Sequence, residues 1–150
     1  LLEQIATTGS SSFAPGRKGG IMKKTSARIL LVEDDRILRR AVQTTLRRHG
    51  FNVVSAGDGE KALRLAKSES LRLVLLELII PKVQGFEVLR RLKQDPKTAS
   101  IPVLILSSLG QQSDIKRAMD LGAADYLVKP KLSLDQLVKK VDELLKGGED

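Results

Sequence analysis

The stretch from Leu73 to Pro81 constrains the chain more than any other. Leu73-Val74-Leu75-Leu76 is apolar at every position, Glu77 interrupts, Leu78-Ile79-Ile80 resume, and Pro81 stops the run. A short apolar run ended by a breaker reads as a strand buried on both faces. Such a strand needs paired neighbours on both edges and packed layers above and below. Proline lacks the N–H that ladder pairing uses, so pairing ends before it. Glu77 therefore falls at the carboxyl tip of a central strand. In open parallel sheets that edge is where ligands bind. A carboxylate buried there is costly unless it meets a cation or a partner.

The rest of the chain supplies the layers. Arg28 to Glu33 is an apolar run ending in acids, the first strand. Asp34-Asp35 then caps a helix with Ile37, Leu38, Ala41, Val42, Thr45 and Leu46 on its inward stripe, closed by Gly50. Phe51 to Ser55 is a second short strand. Asp58-Gly59 turns into a helix that faces inward through Ala62, Leu65 and Ala66. After the strand that ends at Glu77, Gly85 frees a loop. Phe86, Leu89 and Leu92 then line a third helix, which finishes before Asp95-Pro96.

Ile101 to Ser107 is the fourth strand. The fourth helix, 113–121, carries Ile115, Ala118 and Met119 inward, and Gly122 closes it. Residues 124–129 are the fifth strand. Ser133 and Gln136 form a capping box for a fifth helix that repeats Leu134, Leu137, Val138, Val141, Leu144 and Leu145. Five strand–helix units with short connections imply a parallel sheet covered by helices on both faces. The domain is expected over 28–146. Residues 1–27 lack periodicity and are expected to be a disordered tail, with a second short tail at 147–150. Met22, followed by KKTSARILLV, reads as a natural start, which leaves 1–21 as a vector-derived or upstream extension.

Composition removes several function classes. Without cysteine there are no disulfides, thiolate metal sites or cysteine nucleophiles. A single histidine, His49, argues against a histidine metal site or a Ser-His-Asp triad. No apolar stretch is long enough to span a bilayer, and the start lacks the order of a secretory signal, so a cytoplasmic location without membrane contact is expected. Residues 28–150 keep 22 of the 26 bases and 17 of the 18 acids, a net +5. This excess suits an acidic protein partner and is weak support for nucleic acid, which is not expected to be a partner.

The parallel topology puts four polar strand ends on one edge: Glu33 and Asp34 from the first strand, Glu77 from the third, Ser107 from the fourth and Lys129 from the fifth. Three carboxylates repel unless cations intervene. Lys129 supplies one charge, and Mg²⁺, which favours one or two carboxylates with waters and phosphate, would supply the rest. Ser107 and Lys129 can donate to phosphoryl oxygens. The set reads as an acidic Mg²⁺ pocket that handles a phosphoryl group. Helix capping alone would account for the acids, and a structural salt bridge alone for Glu77 with Lys129. The joint occurrence favours the pocket.

At these residues the chain resembles a known family. ILLVEDD (29–35), LVLLELIIPKVQGFEVLRRL (73–92), IPVLILSS (101–108) and GAADYLVKP (122–130) are similar to the receiver domains of bacterial two-component response regulators. The resemblance implies a flavodoxin-like (βα)5 sandwich with strand order 2-1-3-4-5. It implies that Glu33, Asp34 and the Ile79 backbone carbonyl hold Mg²⁺ beside residue 77, and that Ser107 and Lys129 contact the phosphoryl group. Tyr126 matches an aromatic switch residue coupled to the Ser107 hydroxyl, and the Lys129–Pro130 bond is implied to be cis. The implied partners are a histidine kinase or phosphotransfer protein and a downstream effector protein, and the implied role is a switch or adaptor rather than an enzyme.

One departure matters most. The family has aspartate at the phosphoacceptor position, and this chain has Glu77. Glutamate moves the attacking oxygen outward by roughly 1.5 Å, one C–C bond. Misplacement of about 1 Å can cost on the order of a hundredfold in rate. Impaired phosphorylation or a phosphomimetic state follows. The alternative class is a Mg²⁺-dependent phosphohydrolase on a similar sheet, but no second acid stands ready to protonate a leaving group.

Overall fold

The computed structural model describes residues 28–147. The tail expected over 1–27 lies outside the described residues, as do 148–150. Strands β1 (Arg28–Val32), β2 (Asn52–Ala56), β3 (Leu73–Leu76), β4 (Val103–Ser107) and β5 (Asp125–Val128) alternate with five helices. These are α1 (Arg36–Arg48), α2 (Gly59–Ser68), α3 (Gly85–Gln94), α4 (Gln112–Asp120) and α5 (Leu134–Gly147). The strands form one parallel sheet of order β2-β1-β3-β4-β5, the flavodoxin-like arrangement. β3 lies at its centre, and all four of its residues are buried.

Alternate strand residues point to opposite faces, so the sheet divides two cores. Leu30, Val32, Val74, Leu76, Val103 and Ile105 pack with Ala62, Ala66, Val88, Leu89 and Ala118 from α2, α3 and α4. Ile29, Leu31, Leu73, Leu75, Leu104 and Leu106 pack with Leu38, Val42, Leu46, Leu137 and Val141 from α1 and α5. Helix starts follow the expected chemistry. The Asp35 carboxylate caps α1, accepting from the N–H groups of Ile37 and Leu38 at 3.0 and 3.1 Å. Ser133 and Gln136 exchange side chain–backbone hydrogen bonds at 3.1 and 2.9 Å ahead of α5.

Some residues differ from the sequence expectation. Ile37 is 70% and Met119 42% exposed, although both were placed inward. In α1 burial begins only at Leu38, and the residues before it, 34–37, are exposed. In α4 only Ala118 is fully buried, and Met119 is turned one residue further round. β4 begins at Val103 rather than Ile101, because Pro102 has no N–H to give; its carbonyl accepts from Val74 instead. The Lys129–Pro130 bond is trans, since no cis peptide occurs among the described residues. Pro130 lies in a single 3₁₀ turn, Lys129–Lys131, whose opening its fixed φ suits. α5 runs to Gly147, one residue past the expected boundary.

The loop after β3 is held by close backbone approach. A Cβ at Gly59 would lie 2.0 Å from the Val83 carbonyl oxygen. A Cβ at Gly85 would lie 2.4 Å from Leu78 Cα and 2.7 Å from the Glu77 carbonyl oxygen. The Gly85 N–H also donates to the Leu78 carbonyl at 3.0 Å. Gly85→Ala should therefore push the backbone at Glu77 and Leu78 and cost ~1–3 kcal/mol. Thermal melting of the two proteins checks this, and an unchanged midpoint would show the contact to be easily relieved.

Candidate functional site

The pocket grows out of the strand ends. β1 ends at Val32 and β3 at Leu76, which are register partners, so the next residues, Glu33 and Glu77, leave the sheet side by side. Ser107 closes β4, and Lys129 follows Val128, the partner of Ser107 in β5. Glu33, Glu77 and Ser107 are buried.

Lys129 joins the two acids. Its Nζ lies 2.6 Å from Glu33 Oε1 and 2.5 Å from Glu77 Oε1, with the lysine side chain 16% exposed. The second oxygen of each acid is also used. Glu33 Oε2 accepts the Asp35 N–H at 3.0 Å. Glu77 Oε2 accepts the N–H groups of Leu78 at 2.7 Å and Ile79 at 3.1 Å, together with a short hydrogen bond from Ser107 Oγ. One oxygen of Glu77 thus faces the loop and Ser107 while the other faces Lys129.

Ser107 passes the contact on. Its Oγ accepts the Leu109 N–H at 3.2 Å, and the Tyr126 hydroxyl donates to the Leu109 carbonyl at 2.5 Å. The half-buried Tyr126 is thus connected to Glu77 through Leu109 and Ser107. Burial raises the Tyr126 phenol above its usual range, and the Asp114 and Glu77 charges add to this.

Burial likewise raises Glu33 above the ordinary carboxylate value, partly offset by Lys129 and the Asp35 N–H. Burial opposes the charge on Lys129 too. Its hydrogen bonds to Glu33 and Glu77, reinforced by their charges, prevail and hold it above the usual lysine value of 10.5.

Glu33, Glu77, Ser107 and Lys129 are therefore brought together, while Asp34 is exposed and the Ile79 side chain is 53% exposed. No three acidic, histidine or cysteine groups gather to hold a metal among the described residues. As it stands the donor set does not fit Mg²⁺, because Lys129 occupies the point between the two buried acids. Two contributors are not evident from sequence. Leu109 acts through its backbone, which no residue type announces. Arg39 Nη1 donates to the Glu33 carbonyl at 2.7 Å and fastens α1 to the acidic loop. Its sequence setting, among Arg36, Arg40 and Arg47, reads as a solvated face.

The raised Lys129 value implies a pH dependence. The stability it contributes is fully present below about pH 10.5 and is lost as pH rises through its higher folded value. Melting temperature should fall steeply above that point, and less steeply in Lys129→Gln. Equal slopes would assign alkaline unfolding to other groups.

Known proteins share this sequence pattern and this fold. Residues 29–142 match the response regulator receiver domain family. Over 119 residues the chain is 41% identical to the "DNA-binding dual master transcriptional regulator RpaA" of Synechocystis, a match covering 79% of this chain and 49% of that protein. The chain spans about half the length, or less, of the curated relatives it matches. The Francisella response regulator 1452 receiver domain superposes with a TM-score of 0.76 at 27% identity, over 82% of this chain and 99% of that one. A Mn²⁺-bound response regulator, Rcp1, superposes with a TM-score of 0.69 at 29% identity, over 78% and 92%. Among the described residues no helix is long and apolar enough to cross a membrane.

Proposed function

This chain belongs to the response regulator receiver domain family, and we propose that its pocket works as a phosphorylation-independent switch, held in one state by Glu77. The domain is a receiver of two-component signalling, and nothing favours a phosphohydrolase. The observation that carries the proposal is the saturation of Glu77. Ser107 and Lys129, the donors a phosphoryl group would use, are both already bound to its carboxylate. With two backbone N–H groups also on Oε2, each oxygen of the carboxylate already carries a donor, and the less crowded one, Oε1, is tied to Lys129.

The carboxylate thus stands in for the bound phosphoryl group. Its negative charge draws Ser107 inward, Ser107 engages Leu109, and Leu109 holds Tyr126. The domain then acts by protein contact rather than as an enzyme. Its partners on this reading are a histidine kinase or phosphotransfer protein and a downstream effector. The expectation that nucleic acid is an unlikely partner does not carry over, since the Synechocystis relative has DNA binding in its name. Mg²⁺ at Glu33, Asp34 and the Ile79 carbonyl is what the resemblance implies, and no step here passes through it.

Labelling with a small acyl phosphate donor in Mg²⁺ buffer tests the proposal. The native chain should remain unlabelled, and Glu77→Asp should accept phosphate. The expectation rests on spacing: Asp34, Ser107 and Lys129 stand 43, 30 and 52 residues from position 77, as in the family. The label should survive acid and be lost in alkali or hydroxylamine, as an acyl phosphate is. Equal labelling of both proteins would defeat the positional argument.

The link to Tyr126 has its own probe. Tyr126 is the single tyrosine, and the chain has no tryptophan, so intrinsic fluorescence reports on this residue alone. Glu77→Ala should release Ser107, loosen Leu109 and increase acrylamide quenching of Tyr126. Unchanged quenching would mean that Glu77 does not govern the tyrosine.

A further inference from the structure

The two buried acids already have a cation of their own. We propose that the Lys129 ammonium takes the place of a divalent ion in this chain, so that the pocket excludes Mg²⁺ at millimolar concentrations. This deepens the receiver reading and rests on it for the identity of the site.

Mg²⁺ requires near-octahedral oxygen ligands at 2.0–2.1 Å and is usually held by one or two carboxylates. At this edge those carboxylates are Glu33 and Glu77, and each of their four oxygens has a donor. An incoming ion on Oε1 of either acid competes with Lys129, and drawing that oxygen away strips a largely buried ammonium of a partner, which is strongly unfavourable. It also places two cations against the same carboxylates. The two acids exceed Lys129 by one negative charge. The N–H groups of Asp35, Leu78 and Ile79 and the Ser107 hydroxyl all point at that excess and absorb it. Asp34 is exposed and supplies only one further carboxylate.

Glu77 is what makes the exclusion work. Its Oε2 lies on the loop N–H groups and Ser107 while Oε1 is on Lys129. An aspartate, shorter by roughly 1.5 Å, draws both oxygens back toward the strand and away from Lys129. Its hold on the lysine would be weaker, which leaves carboxylate oxygen for a metal.

Calorimetric titration of the full chain with MgCl₂, and with MnCl₂ followed by water-proton relaxation, tests this. Lys129→Gln and Glu77→Asp should each bind at least tenfold more tightly than the native chain. Adding Asp34→Ala to either should abolish the gained binding. Equal affinity in the native chain and both variants overturns the proposal, and Glu77→Asp decides the matter if Lys129→Gln fails to fold. The receiver reading fails separately. Gained metal binding with no acyl-phosphate labelling of Glu77→Asp would remove the phosphoryl site and leave the exclusion standing. Restored labelling with unchanged metal affinity would do the reverse.

Discussion

The contact on which the carboxyl edge of this sheet depends is the Lys129 ammonium held between two buried carboxylates. It joins residues that follow β1, β3 and β5, and Ser107 brings in β4 through Glu77. Neither acid is tolerable in that position alone, because an unpaired buried charge costs roughly 3–5 kcal/mol when its partner is removed. Lys129 is tolerable for the same reason. The three charges are arranged so that each makes the others affordable, and the surrounding N–H groups of Asp35, Leu78 and Ile79 complete the balance.

The fold makes this arrangement rigid. Because β3 is central and its four residues alternate between two cores, Glu77 starts from a backbone that can shift toward neither face. The following loop is pressed against Gly59 and Gly85, where no side chain fits. The pocket's geometry is set from below by packing and from the side by backbone contact. Its charges therefore meet at fixed distances.

Much of this is legible in the sequence. The strands announce themselves as apolar runs ended by polar residues, and a parallel sheet gathers those ends on one edge. This is why Glu33, Glu77, Ser107 and Lys129 can be grouped before any coordinates are known. The helix caps at Asp35 and Ser133 are readable for a similar reason: the side chain carries the signal. What is not legible depends on neighbours or on backbone alone. Ile37 fits an inward stripe by period, yet it lies in the exposed first turn of α1. Pro130 tolerates either peptide geometry, and the bond before it is trans. Whether Lys129 pairs with Glu33, with Glu77 or with both depends on angles and reach. The sequence lists the acids and the lysine without saying which of them pair.

The saturation of Glu77 also bears on time. An ordinary receiver is turned on by a donor and off by hydrolysis, so its memory lasts as long as one phosphorus–oxygen bond. A receiver whose own side chain fills that position has no such clock. On this reading its signal is proportional to the number of molecules present. Synthesis then becomes the on step and proteolysis the off step. The cell would tune such a domain by dosage, with a response time set by protein turnover instead of by chemistry in the pocket.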